Sequence, residues 1–425
     1  MRDFLPADVR KRDYVIGVIK SVYESYGFEP LETPAVENID TLMGKYGEEG
    51  NQLIFKILKR GEKLVESQES GVASQESGQL RTLESGLSDL ALRYDLTVPL
   101  ARVVANNRND LPKFFKRYQI QPVWRADRPA RGRFREFYQC DVDAIGSTSM
   151  VVEAEIISAA ITILEKLGFD DFTVRINHRQ LLSKMVADAG IAIETDALVA
   201  LDKLDKIGPE GVKNNLIGRG IDAEAADKFL ALVTGDVSND ELDRVIQLCD
   251  SSRVRIDPSL ARGLSYYTGT IMEINVPDLA GSLGGGGRYD GLIGMFGKEQ
   301  IPACGFSLGL ERILVVMDER GMFPPEIAES SPADVLVTIW SEDTTADSLK
   351  LAQELRASGL RVTLYPEADK FGKQIKYADS LQVPFVCVLG ESEIAGGTIT
   401  VKNMRTGDQE TVARADAASL INQTA

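Results

Sequence analysis

Residues 114–145 read F-F-K-R-Y-Q-I-Q-P-V-W-R-A-D-R-P-A-R-G-R-F-R-E-F-Y-Q-C-D-V-D-A-I. Two runs rich in aromatic and β-branched residues flank R-P-A-R-G, where Pro129 and Gly132 favour a turn. Consecutive strands joined by a short turn pair antiparallel. The stretch therefore predicts a hairpin in a mainly antiparallel sheet, and not the parallel sheet of a repeated βαβ fold.

The predicted hairpin is rich in arginine, although the chain has a formal net charge of −16. Arg125 and Arg133 would face each other across it. Two converging guanidinium groups suit a polyphosphate, because each can donate two parallel hydrogen bonds to phosphate oxygens. A solvated, salt-bridged hairpin is the alternative. Strand alternation from Arg133 would place on one face the side chains of Arg133, Arg135, Phe137, Gln139, Asp141 and Asp143.

A second candidate segment is L-R-Y-D-L-T-V-P, residues 92–99. It predicts a strand with Arg93, Asp95 and Thr97 on one face. A carboxylate and a hydroxyl group placed together could hold an ammonium group. A strand with a purely structural role is the alternative.

Two glycine-containing segments follow. In A-R-G-L-S-Y-Y-T-G, which is predicted to extend a strand, Gly263 and Gly269 allow a ligand or another segment to approach Arg262 and the two tyrosines. The run S-L-G-G-G-G-R-Y-D-G-L, residues 282–292, lacks the G-K-[ST] ending of a phosphate-binding loop. It predicts a tight turn over a ligand, or packing against a strand.

The segment G-F-S-L-G-L-E-R-I, residues 305–313, predicts a strand that runs directly into a helix. It would deliver Arg312 at the start of the helix, beside Glu311. A ligand-binding arginine and a buried structural arginine are both compatible with this position.

Composition narrows the possible chemistry. The chain has 425 residues, which predicts two or three domains, and no apolar run of about 18 residues that could cross a membrane. Its four cysteines are scattered, it lacks an apolar signal segment, and it has one histidine, His178. We therefore expect a cytoplasmic protein without disulfides or zinc, and catalysis without a Ser-His-Asp triad.

The pattern along the chain predicts its domains. Residues 1–320 form a larger domain with a helical insertion at 181–250, residues 321–333 form a linker, and residues 334–425 alternate strands and helices as an α/β domain. The Ser/Glu/Gly-biased segment 64–89 predicts a surface hairpin or flap, or an exposed insertion without a function. Apolar spacing predicts individual helices at 13–26, 151–167, 348–358 and 374–381.

Several motifs together resemble those of class II aminoacyl-tRNA synthetases, and within that class the histidyl-tRNA synthetase family. The resemblance covers nearly the whole chain, and its motifs stand in the family's order. They are R-D-F-L-P, Pro34, W-R-A-D, G-R-F-R-E-F-Y-Q-C-D, R-G-L-S-Y-Y, G-G-R-Y-D-G-L and G-L-E-R-I. The resemblance implies an α+β catalytic domain on a mixed, mainly antiparallel sheet with a helical insertion, followed by an α/β anticodon-binding domain.

The resemblance also implies roles for individual residues. For ATP, Arg125 would bind the α-phosphate, Arg133 the γ-phosphate, and Phe137 with Arg312 the adenine. Arg262 and Arg125 would be catalytic, with Arg262 acting on the reacting α-phosphate. For histidine, Asp95, Thr97 and Gln139 would bind the ammonium group, Arg125 the carboxylate, and Asp143, Tyr266 and Tyr267 would line the imidazole pocket. Leu96 and Arg262 are also implied to bind histidine.

The implied partners are L-histidine, ATP with Mg²⁺, tRNA(His) and a second copy of the chain, with no zinc, organic cofactor or membrane. Arg128 and Arg131 in the hairpin turn would meet the acceptor end of tRNA. Lys370, Lys373 and Lys376, spaced along one helix edge, would meet anticodon phosphates. A solvated helix face is the alternative for these lysines.

Two other functions fit part of the pattern. One is a catalytically inactive, synthetase-like regulatory subunit of histidine biosynthesis, which would be expected to lose R-G-L-S-Y-Y and the carboxy-terminal domain. The other is a synthetase for a different amino acid, which the same signature disfavours. Ser265 departs from the family, because many members have an aspartate at this position.

Overall fold

In the computed structural model, the chain is described over residues 1–60, 87–262, 266–328 and 331–424. It forms two compact units, Met1–Phe323 and Pro324–Ala425. The division falls inside the segment that the sequence predicts to be a linker. Nearly all of the predicted flap, 64–89, lies outside the described residues, as do Gly263 and Ser265.

The larger unit is built on two sheets. Its strands are β1 (Glu29–Pro30), β2 (Val36–Asn38), β3 (Lys56–Leu58), β4 (Ser88–Leu92), β5 (Phe115–Trp124), β6 (Glu136–Ile145), β7 (Thr173–His178), β8 (Val254–Ile256), β9 (Thr270–Asn275), β10 (Gly284–Arg288) and β11 (Ala303–Gly309). One sheet has the order β1-β5-β6-β11-β10-β9-β7-β8, and the other has the order β2-β4-β3. In the large sheet only β1 with β5 and β7 with β8 are parallel. The predicted mixed, mainly antiparallel sheet is confirmed.

The hairpin of β5 and β6 takes the second and third places in the large sheet, next to the edge strand β1. Its strands pair in register from Phe115 opposite Ile145 to Trp124 opposite Glu136. The backbone N–H of Arg125 then donates to the carbonyl of Arg135. The prediction that Arg125 faces Arg133 was therefore wrong, because Arg133 belongs to the turn and bridges to Ala130. Gly132, with a φ of 66°, makes this tight turn possible.

The helices of the larger unit pack around its sheets or form the insertion; α2, for example, packs against β2 and β4 of the small sheet. They are α1 (Pro6–Ser25), α2 (Ile39–Leu42), α3 (Gly47–Gln52), α4 (Thr97–Asn106), α5 (Val151–Lys166), α6 (Arg179–Asp188), α7 (Glu194–Leu201), α8 (Leu204–Gly218), α9 (Ala223–Val233), α10 (Asp240–Cys249) and α11 (Leu310–Glu319). The first helix begins at Pro6 and not at residue 13, because proline suits the first helical position. In the insertion, α6 to α9 pack around a core of Leu182, Leu198, Leu216 and Phe229, whereas α10 packs against α5.

Three strand or turn predictions were wrong in their extent. The strand before Arg93 ends at Leu92, and Thr97 already starts α4, so residues 92–99 are a strand end, a turn and a helix start. The strand predicted through Arg262 begins only at Thr270. The glycine run 282–292 contains β10, which is paired on both sides, so its packing against strands is right and the tight turn is not.

The second unit is an α/β domain with one sheet, ordered β13-β12-β14-β15-β16. Its strands are β12 (Val335–Val337), β13 (Val362–Leu364), β14 (Phe385–Val388), β15 (Thr398–Asn403) and β16 (Gln409–Ala413). Its helices are α12 (Pro325–Ala328), α13 (Thr345–Ala357), α14 (Phe371–Ser380), α15 (Glu391–Gly396) and α16 (Ala417–Thr424). The first three strands are parallel and alternate with helices, as the sequence pattern predicts.

Across the described ranges, every helix is too short or too polar to cross a membrane.

Candidate active site

A cavity of about 560 Å³ opens in the larger unit, a volume suited to a small-molecule substrate. We call the face of β6 that carries Gln139, Asp141 and Asp143 the floor of this cavity. These three residues alternate along the strand and therefore point to the same side. The walls come from the turn before α4, the hairpin turn, β10, β11 and the start of α11.

Two glycines on the strands β11 and β10 leave room for neighbouring charged side chains. Gly305 lies opposite Asp143, and a Cβ at this glycine would collide with the Asp143 carboxylate. On β10, a Cβ at Gly285 would collide with the guanidinium of Arg262. Glycine at both positions therefore leaves room for charged side chains that the cavity needs.

Asp143 is held by two residues that sequence reasoning missed. Arg117 on β5 is fully buried, and its Nη2 lies 2.8 Å from Oδ2 of Asp143. The hydroxyl of Tyr289 donates to Oδ1. Burial raises the pKa of Asp143, while Arg117 and the tyrosine hydrogen bond oppose this rise. The sequence did contain a sign of this role, because the polar residues Arg117 and Gln119 alternate along a buried strand.

Asp95 reaches the cavity from a turn and not from a strand. Its Oδ1 accepts the backbone N–H of Val98 at 3.0 Å, which caps α4, and the hydroxyl of Tyr46 at 2.9 Å. Burial raises its pKa. Thr97 also lines the cavity, whereas Leu96 is buried outside the lining.

Arg93 does not join Asp95 and Thr97, contrary to the strand prediction. It is 1% exposed, and its guanidinium donates to the carbonyls of Pro122 and Thr33 and to the side chain of Gln121. It ties the small sheet segment to β5 and has a structural role. Tyr46, which binds Asp95, was missed because it lies 49 positions away in the sequence.

The arginines of the hairpin separate into two groups. Arg125 and Arg133 both line the cavity, although they are not opposite each other in the hairpin. The Arg125 guanidinium lies 4.3 Å from the ring centre of Tyr94 and 5.1 Å from that of Phe137. Arg135 is exposed and donates to the carbonyl of Asp127, so it does not line the cavity.

Arg262 lies on the opposite wall with the two tyrosines of the signature. Its Nη1 donates to Glu273 on β9 and to Oγ of Ser282 at 2.7 Å. Tyr266 and Tyr267 contact each other edge to face, with ring centres 4.8 Å apart, and both line the cavity. Burial raises the pKa of both hydroxyls, so they are neutral hydrogen-bonding groups at neutral pH.

Arg312 completes a positively charged region. It lies in the first turn of α11, and its Nη1 donates to the carbonyl of Ser282. Burial lowers its pKa, and Arg262, Arg133 and Arg125 lower it further. Four guanidinium groups close enough to influence one another favour binding of an anion with several charges.

Glu311, next to Arg312, holds the base of α11 against β6. Its carboxylate accepts the backbone N–H of Tyr138 at 3.0 Å and 3.1 Å from its two oxygens. Burial raises the pKa of Glu311 to about 7. This contact fixes the helix that carries Arg312 to the strand that carries the floor.

The residues predicted to meet tRNA lie outside the cavity lining. Arg128 is exposed, and Arg131 pairs with Glu319 and donates to the carbonyl of Asp278 at 2.9 Å. In the second unit, α14 and its N-cap expose what we call the lysine edge, namely Lys370, Lys373 and Lys376. Nζ of Lys373 lies 2.8 Å from Oδ1 of Asp369 and forms an ion pair with it.

The cavity lining was not predicted to hold a zinc site or a catalytic histidine. Within the described parts of the chain, no three His, Cys, Asp or Glu side chains cluster as a metal site. His178, the one histidine, caps α6 and lies 3.1 Å from Glu241, away from the cavity lining.

Known families match both units. The family model for histidyl-tRNA synthetase matches residues 62–313, more than half of the chain. The chain belongs to the histidyl-tRNA synthetase family. The model of an anticodon binding domain matches residues 334–424, so this synthetase carries that domain in its second unit.

Relatives of this synthetase match over nearly their whole length. A histidine–tRNA ligase of Christiangramia forsetii is 42% identical over 440 residues, covering 96% of this chain and 95% of the relative. One of Porphyromonas gingivalis is 42% identical over 449 residues, covering 99% and 97%. The crystal structure of histidyl-tRNA synthetase from Nostoc sp. PCC 7120 matches with a TM-score of 0.77 at 32% identity, covering 100% of this chain and 98% of that one.

Proposed function

We propose that the chain is a histidine–tRNA ligase, which activates L-histidine with ATP and transfers it to the 3′ end of tRNA(His). Family membership over the full length supports this function. The observation that carries it is a single cavity that combines two opposite charge environments. Arg125, Arg133, Arg262 and Arg312 suit a polyphosphate, and the carboxylates of the floor suit a cationic amino acid.

ATP would lie along the arginines. Arg125 would bind the α-phosphate and the histidine carboxylate together, and Arg133, exposed at the rim, would bind the γ-phosphate. The adenine would lie between the ring of Phe137 and the guanidinium of Arg312, because a guanidinium plane stacks well on an aromatic face. Both side chains line the cavity, which supports this placement.

Histidine would bind on the floor. Asp95, Thr97 and Gln139 would receive its ammonium group, and Asp143 with Tyr266 or Tyr267 would meet its two ring nitrogens. A wrong amino acid would leave these buried polar groups unpaired, which costs more than the loss of a hydrophobic contact. We therefore expect selection in one step, without hydrolytic editing.

Activation needs no protein base in this arrangement. The histidine carboxylate is ionised at neutral pH. One of its oxygens attacks the α-phosphorus, the bond from that phosphorus to the bridging oxygen breaks, and pyrophosphate leaves with the electron pair. Negative charge grows on the equatorial oxygens of the α-phosphate, where Arg262, held by Glu273 and Ser282, would stabilise it.

Transfer then joins histidine to tRNA. A ribose hydroxyl of the terminal nucleotide attacks the carbonyl carbon of histidyl-adenylate, AMP leaves, and a phosphate oxygen of the adenylate accepts the hydroxyl proton. Such substrate-assisted proton transfer is compatible with a chain whose one histidine lies away from the cavity lining. Arg128, Arg131 and the lysine edge are proposed contacts for the tRNA.

ATP would enter as its Mg²⁺ complex, in which the ion, bound by phosphate oxygens and water, would neutralise part of the charge on the leaving pyrophosphate.

We also propose that the enzyme works in the cytoplasm as a homodimer. Light scattering at micromolar protein concentration tests the dimer. A measured molar mass equal to that of one chain would contradict it.

The experiment that tests the function is ATP–pyrophosphate exchange with each of the twenty amino acids. We expect exchange with histidine only, followed by charging of tRNA(His). Exchange with none, from folded protein, would support the inactive regulatory subunit, and exchange with another amino acid would refute the specificity.

The variants Tyr266→Phe and Tyr267→Phe assign the imidazole contact within the same assay. The variant that removes the relevant hydroxyl should raise the KM for histidine by about tenfold and leave the KM for ATP unchanged, as for loss of one buried hydrogen bond. Tyr377→Phe, which changes an exposed tyrosine of the second unit, is the matched control.

A further inference from the structure

Asp141 is a carboxylate on the floor to which neither the motifs nor the comparisons give a role. It lies on β6 between Gln139 and Asp143, lines the cavity and is 2% exposed. Buried carboxylates are costly unless their oxygens have partners. A cavity that places one at its floor therefore needs an explanation.

The two oxygens of Asp141 have different environments. The side chain hydrogen-bonds with Ser307, its neighbour on β11, and Gln139 in turn donates to Ser307 at 3.1 Å. Oδ1 of Asp141 has no hydrogen-bond partner in the described parts of the chain, and neither has Oε1 of Gln139. Ser307 therefore links two side chains that each keep one unused acceptor.

Oδ2 of Asp143 likewise accepts no hydrogen bond in the described parts of the chain, but both oxygens of Asp143 already have a polar neighbour. Tyr289 donates to Oδ1, and Arg117 lies against Oδ2. Of the two aspartates on the floor, Asp141 thus has the oxygen that is available to a ligand without breaking an existing contact.

The charges that face Asp141 favour a cationic ligand. From β5 comes Arg117, from β6 comes Asp143, and from the turn before α4 comes Asp95; Ser307 on β11 is neutral. Asp141, Asp143 and Asp95 thus face Arg117, with Arg125 as a second guanidinium that acts on Asp95. Burial and the neighbouring Asp143 raise the pKa of Asp141 to about 7, against the opposing influence of Arg117, so an incoming cation would favour its ionised form.

We propose that Asp141 is a histidine-binding residue whose Oδ1 accepts a hydrogen bond from the α-ammonium group of the substrate. An ammonium group has three N–H donors, and Asp141 and Oε1 of Gln139 add two free acceptors on the floor to Asp95 and Thr97 on the wall. The imidazole ring of the substrate would instead lie against Asp143, the next residue along β6 on the same face. This inference rests on the proposed function and adds a residue to its amino-acid site.

The test compares Asp141→Asn with the wild type in histidine-dependent pyrophosphate exchange. The substitution keeps the shape and removes the charge, so we expect the KM for histidine to rise at least tenfold and the KM for ATP to stay within twofold. An unchanged KM for histidine, or an equal rise for ATP, would overturn the proposal.

Two inhibitors identify the group that Asp141 contacts. L-Histidinol keeps the ammonium group, and imidazole-4-propionate lacks it. In the variant, the inhibition constant of L-histidinol should rise by about the same factor as the KM for histidine. The inhibition constant of imidazole-4-propionate should stay within about twofold of its value for the wild type. An equal rise for both inhibitors would refute the ammonium contact.

The failure of this inference is distinguishable from failure of the proposed function. If the wild type shows no histidine-dependent exchange, the function itself is wrong. If the wild type is active and Asp141→Asn behaves like it, only the role of Asp141 is wrong. Ser307→Ala, which keeps the carboxylate but removes its hydroxyl partner, should give a smaller rise in the KM for histidine.

Discussion

The floor of the cavity and the lysine edge of the second unit are both charged clusters, but they differ in burial. On the floor Asp141 and Asp143 are 2% exposed, and Arg117 beside them is fully buried. The lysine edge is exposed throughout. A buried charge is costly unless a partner or a ligand compensates it, whereas an exposed charge costs little. Charge therefore carries functional information mainly where it is buried.

The largest effect should follow from breaking the buried pair of Arg117 and Asp143. Arg117→Met leaves a buried carboxylate without its cation, so we expect the free energy of unfolding to fall by about 3–5 kcal/mol in a urea titration. The double variant Arg117→Met/Asp143→Asn should recover much of this loss.

Arg255→Met is the matched control for that titration, because this arginine is exposed on β8 of the same unit. It should change the free energy of unfolding by less than about 0.5 kcal/mol. Equal losses in the control and in Arg117→Met would remove the contrast between buried and exposed charge.

The next largest effect concerns Arg262, which is only partly buried but would act on the reacting phosphate. Arg262→Ala should lower the single-turnover rate of adenylate formation by about 10²–10³-fold, as for removal of one donor to a developing oxyanion. The affinity for ATP should change by less than about threefold. Arg255→Ala is the control, and a rate close to that of the wild type would refute a catalytic role for Arg262.

Glu311 should give a pH-dependent effect of intermediate size. Its pKa is about 7 in the folded chain against an ordinary value of 4.5. The folded chain therefore holds this proton more tightly, and the free energy of unfolding should fall as pH rises from about 4.5 to about 7.

Glu311→Gln should remove this contribution, which amounts to roughly 3 kcal/mol over the window. The measurement is the difference between wild type and variant in urea titrations at several pH values. A constant difference across the window would show that burial does not perturb this carboxyl.

The smallest effect is expected at the lysine edge. Lys370→Ala/Lys376→Ala should raise the KM for tRNA by about two- to fivefold, weaken its salt dependence, and leave pyrophosphate exchange unchanged. Lys350→Ala on α13, also exposed, is the control. No change in the KM for tRNA would support the solvated-face alternative.

Much of the fold could be predicted, because its signals are local. The hairpin turn, the helix at 151–167 and the alternation of strands and helices after residue 334 depend on neighbouring residues. The turn at Asp95 could not be predicted, because its geometry depends on Tyr46, 49 positions earlier. Arg93 alternates with Asp95 in the sequence, but in the structure it turns towards Thr33 and Pro122.

The candidate site shows the same limit. Arg125, Arg133, Arg262 and Arg312 were chosen from motifs and all line the cavity, while their roles stay predictions. Strand alternation placed Arg135 on the same face as Phe137 and Gln139, but it lies outside the lining. Glu273, which holds Arg262, lies in a strand whose pattern gives no sign of that contact.

The sequence by itself determined the family, the two kinds of domain and the side of β6 that faces the cavity, because motif order and the two-residue period of a strand are written in the chain. Only the tertiary structure decided which of those polar residues already have partners. Strand register brings Arg117 to Asp143 and Ser307 to Asp141, which leaves Oδ1 of Asp141 buried and without a hydrogen-bond partner in the described parts of the chain.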